Sequence, residues 1–161
     1  MILGSSELLE MFKKGLVEGY VTDNVGGAGY DLRLGHVYEL KTGGQIGAKT
    51  RTLPEIELVQ AEEHFLGPGE YVLVETMEKV NMPDDLAARV LNRSSLFRCG
   101  AALENALVDP GYRGTLTFGL KNNSKNTFKV EQGAPIAQIV FERVQGSERS
   151  YDGRYQGGKV V

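Results

Sequence analysis

The stretch NRSSLFRCG places Arg93, Ser94, Ser95 and Arg98 within six residues, directly after a β-like run. If a short helix begins at the serines, its free backbone N–H groups, two hydroxyls and two guanidinium groups converge on one place. That makes an anion site, with phosphate as the natural occupant. The plain alternative is a serine N-cap flanked by solvated arginines. Further on, VDPGYRG supplies Asp109, a turn at Pro110 and Gly111, and then Tyr112; alone, this is a tight turn whose aspartate bonds its own backbone. Upstream, AGYDL brings Asp31 out of a glycine run into a strand. In GTLTFGLKN, Thr115, Thr117 and Lys121 alternate with Leu116, Phe118 and Leu120, the period-two pattern of a half-buried strand. Gly119 falls on the polar face of that strand, and a glycine there marks a bulge or the close approach of something to the backbone.

These groups need a scaffold, and the rest of the chain outlines one. SSELLEMFKKGLVEG puts Leu8, Leu9, Phe12 and Leu16 at helical spacing, so one helix is expected within residues 1–20, with Ser5 or Ser6 as N-cap. After it come short β-like runs (YDLRL, VYEL, IELV, YVLVET, ARVLN, GTLTFGL, PIAQIVFERV) separated by Gly, Pro, Asn and Asp. With 21 glycines and only 5 prolines among 161 residues, many turns joining short strands are expected, and the class is all-β, a barrel or a sandwich. The length suits a single domain, residues 1–161. Residues 146–161, glycine-rich and polar, read either as a frayed terminus or as a flexible arm that closes over a ligand.

Composition narrows the function. A net charge of −3 gives no electrostatic footprint for nucleic acid, although a free nucleotide needs only a few local cations. Cys99 is the only cysteine, which excludes a disulfide framework and a CxxC metal pair. His36 and His64 lack metal-ligand spacing, and no protein-held metal is expected. The apolar runs are too short to span a bilayer, and the amino terminus lacks a signal peptide's order of basic then apolar residues; a cytoplasmic setting is expected, without membrane or nucleic-acid partners.

The order AGYDLRLG, RSSLFR, ENALVDPGYRG, GAPIAQIVF, YDGRYQGG, from about Ala28 to Gly158, resembles the superfamily of deoxyuridine triphosphatases (dUTPases) and deoxycytidine triphosphate (dCTP) deaminases. The resemblance implies a distorted jelly-roll-type β-barrel with an N-terminal helix and short extra helices, assembled as a homotrimer with sites at subunit boundaries. It also implies Mg²⁺ arriving on the substrate triphosphate. Mapped segment by segment, Arg93, Ser94, Ser95, Arg98 and Gln138 look like phosphate contacts, Ser95 and Arg98 sharing the catalytic work with Asp109, the carboxylate that orients water. Tyr112 looks like the residue beneath the deoxyribose. Asn105, in the hairpin GAALENALVD, is the candidate for reading the base, and Arg154, Tyr155 and Gln156 are candidates for contacts made when the tail closes.

In the resembling deaminases, the strand after the DPG turn carries a proton-shuttling glutamate; here that position is Gly119. Departure of the ring amino group needs a positioned acid and base. The reading that follows is an archaeal-type dUTPase of the deaminase-like branch, hydrolysing dUTP to dUMP and pyrophosphate. A dCTP deaminase, alone or bifunctional, would need another residue such as Glu104 in place of that glutamate. A third reading is a nucleotide-binding regulator without turnover.

Overall fold

The computed structural model describes all of residues 1–161. In chain order the elements are α1 (Ser5–Lys13), β1 (Val17–Glu18), a single 3₁₀ turn (Thr22–Asn24), β2 (Val25–Gly26), β3 (Gly29–Leu40), β4 (Gln45–Ile46), β5 (Arg51–Thr52), β6 (Ile56–Leu58) and β7 (Glu63–Leu66). There follow β8 (Tyr71–Asn81), β9 (Leu86–Asn92), α2 (Ser94–Arg98), β10 (Ala101–Glu104), β11 (Arg113–Asn122), β12 (Phe128–Glu131) and β13 (Pro135–Arg143). The main sheet runs β10-β11-β8-β3-β13-β9, every pair antiparallel, with β1 on β8 and with β2 and β6 on β3.

The two ends of that path meet. Ala88 and Val108 exchange both backbone hydrogen bonds, at 3.0 and 2.9 Å, and Leu103 N–H donates to Asn92 Oδ1 at 2.7 Å. The sheet is thereby a nearly closed, distorted barrel, the architecture expected from the sequence. Its interior is filled by the apolar half of each alternating strand: Leu116, Phe118 and Leu120 of β11 are buried together with Leu34, Val37 and Val74. A fully buried carboxylate, Glu78, is compensated on every side. It accepts from Tyr30 OH (2.9 Å), Arg33 N–H (3.0 Å) and Arg33 Nε (2.7 Å), which offsets the cost of removing a charge from water.

The N-terminal helix is shorter than its apolar spacing suggests. Leu8 and Phe12 face the core, where Phe12 meets Tyr30 edge-on at 5.4 Å. Gly15, at φ +95°, then turns the chain out of the helix, and Val17 pairs with Val80 of β8; Leu16 is buried beyond the helix end. The expected serine cap is also absent. Gly4 is the N-cap, its carbonyl accepting from Leu8 N–H, while Ser5 and Ser6 lie inside the first turn. Gly27 carbonyl takes the Ser5 N–H, so a neighbouring loop satisfies that end and no side-chain cap is required. No helix is long and apolar enough to cross a membrane.

Candidate active site

The turn Asp109–Tyr112 leads into β11. Gly111 sits at φ +82°, and Tyr112 N–H returns to the Asp109 carbonyl at 3.2 Å, so the aspartate's side chain is left free at the surface. Tyr112 is buried behind it. Its hydroxyl donates to Thr115 O at 2.5 Å, and burial, reinforced by Tyr151 and Glu75, pushes the phenol up to about 12. Asp109 and Tyr112 line one wall of a largely apolar cavity of about 430 Å³, with Tyr71, Thr117, Phe118 and Tyr155 among its other walls.

The C-terminal segment supplies part of that enclosure. Tyr151 N–H donates to Pro110 O (2.8 Å), and its ring meets Tyr112 edge-on at 5.4 Å. The Gln156 side chain clasps the turn from both sides: Oε1 accepts from Arg113 N–H at 2.8 Å, and Nε2 donates to Gly111 O at 3.0 Å. Gly114 and Gly158 cross where neither backbone leaves room for a side chain. Tyr155, Val160 and Val161 therefore form cavity wall, and the Gln156 amide serves the turn.

Tyr71, one of the cavity's walls, explains the glycine in β11. Gly119 is buried, and a Cβ there would stand 2.5 Å from Tyr71 Cζ and overlap the hydroxyl. The Tyr71 ring reaches diagonally from β8, where Tyr71 pairs with Lys121, and lies over Gly119. On the other side of β11, Glu104 of β10 is the direct cross-strand partner of Gly119. Burial, and then the charge of Glu104, raise the Tyr71 phenol. Nearby, Thr117 Oγ1 is buried without any hydrogen-bond partner. Sequence reasoning passed over Tyr71 altogether, because its contact with Gly119 depends on the β8–β11 register.

The remaining candidates lie elsewhere on the chain. α2 begins at the serines as the anion-site reading requires, with Arg93 as its N-cap and no side-chain capping bond. Arg93 Nε pairs with Asp31 Oδ2 at 2.9 Å and its Nη1 donates to Pro135 O, while Arg98 Nη1 donates to Ser94 O at 3.1 Å. Gln138 is in register with both Asp31 and Leu91, which puts it on the same flank. None of Arg93, Ser94, Ser95, Arg98 and Gln138 lines the 430 Å³ cavity. Asn105 is exposed and outside it, and Arg154 faces a separate cleft beside Lys49 and Arg51. One chain thus carries the flank expected to bind an anion and an apolar cavity without joining them.

A family profile described as "dCTP deaminase-like" matches residues 2–144. The chain belongs to that family. A "dCTP deaminase, dUMP-forming" of Aquifex aeolicus is 36% identical over 100% of this chain and 92% of its own, and a "dCTP deaminase" of Pyrobaculum calidifontis is 33% identical over 100% and 94%. A "Probable deoxyuridine 5'-triphosphate nucleotidohydrolase" of Methanothermobacter thermautotrophicus is 34% identical over 80% of this chain and 85% of its own. Among solved structures, the 2'-deoxycytidine 5'-triphosphate deaminase of Agrobacterium tumefaciens superposes with a TM-score of 0.72 at 23% identity, over 89% of this chain; this chain spans 48% of that one. That likeness concerns the fold.

These relationships overturn the dUTPase reading. The Aquifex and Pyrobaculum relatives, which match this chain from end to end, are named as deaminases, so neither an archaeal-type dUTPase identity nor hydrolysis of the α–β phosphoanhydride of dUTP stands. The dUTPase reading rested on the absence of a glutamate at Gly119. The space there is taken by the Tyr71 hydroxyl, and a carboxylate stands across the ladder from it.

Proposed function

We propose that this chain deaminates dCTP: dCTP + H₂O → dUTP + NH₃. The observation that carries the reading is its full-length similarity to proteins named as dCTP deaminases. The geometry supports it. A mostly apolar cavity of about 430 Å³ has the size and character to take a pyrimidine nucleoside, with Tyr112 beneath the sugar and Asp109 and Thr117 among its lining residues.

In this proposal the triphosphate of the same nucleotide is held by Arg93, Ser94, Ser95, Arg98 and Gln138 of a neighbouring copy, in a homotrimer that unites the two half-sites. Tyr155 bounds the nucleoside from the tail. Mg²⁺ would enter as a chelate of the substrate's own phosphate oxygens. There it neutralises charge that the arginines leave uncovered.

The test is to incubate the purified protein with dCTP and Mg²⁺, then measure ammonia and separate the nucleotides. Ammonia released in step with loss of dCTP, with a deoxyuridine nucleotide appearing, is expected. Binding of dCTP without ammonia would overturn the proposal in favour of a nucleotide-binding protein without turnover.

A further inference from the structure

Deamination moves two protons, and some group on this chain must carry them. Water's oxygen bonds to C4 of the cytosine while the C4–N bond breaks. Of water's two hydrogens, one ends on N3 and the other leaves on the amino nitrogen as ammonia. A side chain that accepts each proton and returns it satisfies that balance with no net change in itself, and a carboxylate does this well.

Three carboxylates stand on or next to the strands that line the cavity, Asp109 among the lining residues and Glu75 and Glu104 outside them. Glu75, the cross-strand partner of Thr117, is committed: Oε1 accepts from Thr115 Oγ1 at 2.6 Å, and Oε2 accepts from Tyr38 OH at 2.9 Å and contacts His36 Nδ1 at 3.2 Å. Asp109 lines the cavity from the exposed turn before β11, beside the sugar position assigned to Tyr112. Glu104 is different. It is exposed, makes no hydrogen bond or ion pair within the chain, and faces Gly119 directly across the β10–β11 ladder.

Directly opposed residues of an antiparallel pair project to the same face with Cα atoms about 4.5–5.5 Å apart. A glutamate at 104 can therefore bring its carboxylate over Gly119, where the bare backbone offers no side chain to block it. The one group occupying that spot is the Tyr71 hydroxyl, which is a cavity wall and an available hydrogen-bond partner for the carboxylate. Burial first, and the Glu104 charge second, raise this phenol, in keeping with the two groups being neighbours.

We propose that Glu104 is the catalytic proton carrier of the deamination and that Tyr71, crossing Gly119, is its positioning residue. This assignment rests on the deaminase reading above. It moves the working carboxylate from the strand that lines the cavity to the adjacent one, and it accounts for the glycine: any side chain at 119 would displace Tyr71.

The experiment compares wild type, Glu104→Gln, Glu104→Asp and Tyr71→Phe for ammonia release and for dCTP affinity measured by calorimetry, with far-ultraviolet circular dichroism to verify folding. Wild-type ammonia release checks the deaminase reading by itself. Given that release, Glu104→Gln is expected to lower kcat by about 10²–10⁴-fold with dCTP affinity within about threefold of wild type, and Glu104→Asp to recover part of the loss. Tyr71→Phe is expected to lower kcat about tenfold with KM unchanged. A folded Glu104→Gln that keeps more than about a tenth of wild-type kcat, or that loses affinity as much as turnover, overturns the assignment while leaving the deaminase reading in place.

Discussion

The Thr117 hydroxyl is a buried polar atom without a partner, on the wall of the cavity that the proposal gives to cytosine. Leaving such a group unbonded costs about 1–3 kcal/mol, so it weakens the empty protein and strengthens whatever bonds to it. Thr117→Val replaces it with a group of nearly the same shape and should separate these two effects. The melting temperature should stay level or rise, while kcat/KM for dCTP falls about tenfold, the worth of one hydrogen bond. A lower melting temperature with unchanged kcat/KM would mean that the hydroxyl serves the fold. Much at this scale was legible beforehand. The alternation around Leu116, Phe118 and Leu120 already put Thr117 on the polar face and made Gly119 conspicuous. The partners were not legible, because Tyr71 reaches Gly119 through the register of β8 on β11, and register depends on pairing among strands far apart in sequence.

At the scale of elements, the tail behaves as part of the barrel's wall. It is fastened where Gly158 crosses the start of β11, at φ +82° and so close that a Cβ would stand 2.9 Å from Thr115 N and overlap the Thr115 hydroxyl. Gly158→Ala adds a methyl to this crossing and requires a left-handed conformation costing about 1–2 kcal/mol for a residue with a side chain. The substitution should release the segment from about Tyr151 onward, since Gln156 and Tyr151 hold the same turn. Limited proteolysis should then cut the tail sooner than in wild type, and KM for dCTP should rise severalfold as Tyr155, Val160 and Val161 leave the cavity. Unchanged cleavage and KM would show that the fastening lies elsewhere. Composition alone left a frayed end and a closing arm both open for this segment, because GSERSYDGRYQGG is polar and glycine-rich under either reading. The docking rests on the crossing of Gly114 with Gly158 and on Gln156 and Tyr151, features without periodicity. The helix at the other end failed in a similar way at its boundaries: Leu16 continues the apolar spacing, but Gly15 has already turned the chain.

At the scale of the whole molecule, the flank of β9, α2 and β13 that the proposal gives to the triphosphate and the cavity built from β8, β11 and the tail belong to different parts of one barrel. A reaction on a nucleoside triphosphate needs both, and a symmetric ring of copies, each offering its flank to the next copy's cavity, satisfies that need. Mixing two defective proteins tests this directly. Asp109→Ala damages the cavity and leaves the flank intact, whereas Arg98→Ala does the reverse. When the two are unfolded, mixed in equal amounts and refolded together, roughly one quarter of the sites in randomly assembled rings should combine an intact cavity with an intact flank, so about a quarter of wild-type ammonia release should return. Each variant refolded alone should stay near its own low rate. If the mixture gives only the average of the two separate rates, cavity and flank act within a single chain, and the tail must swing far enough to bring them together.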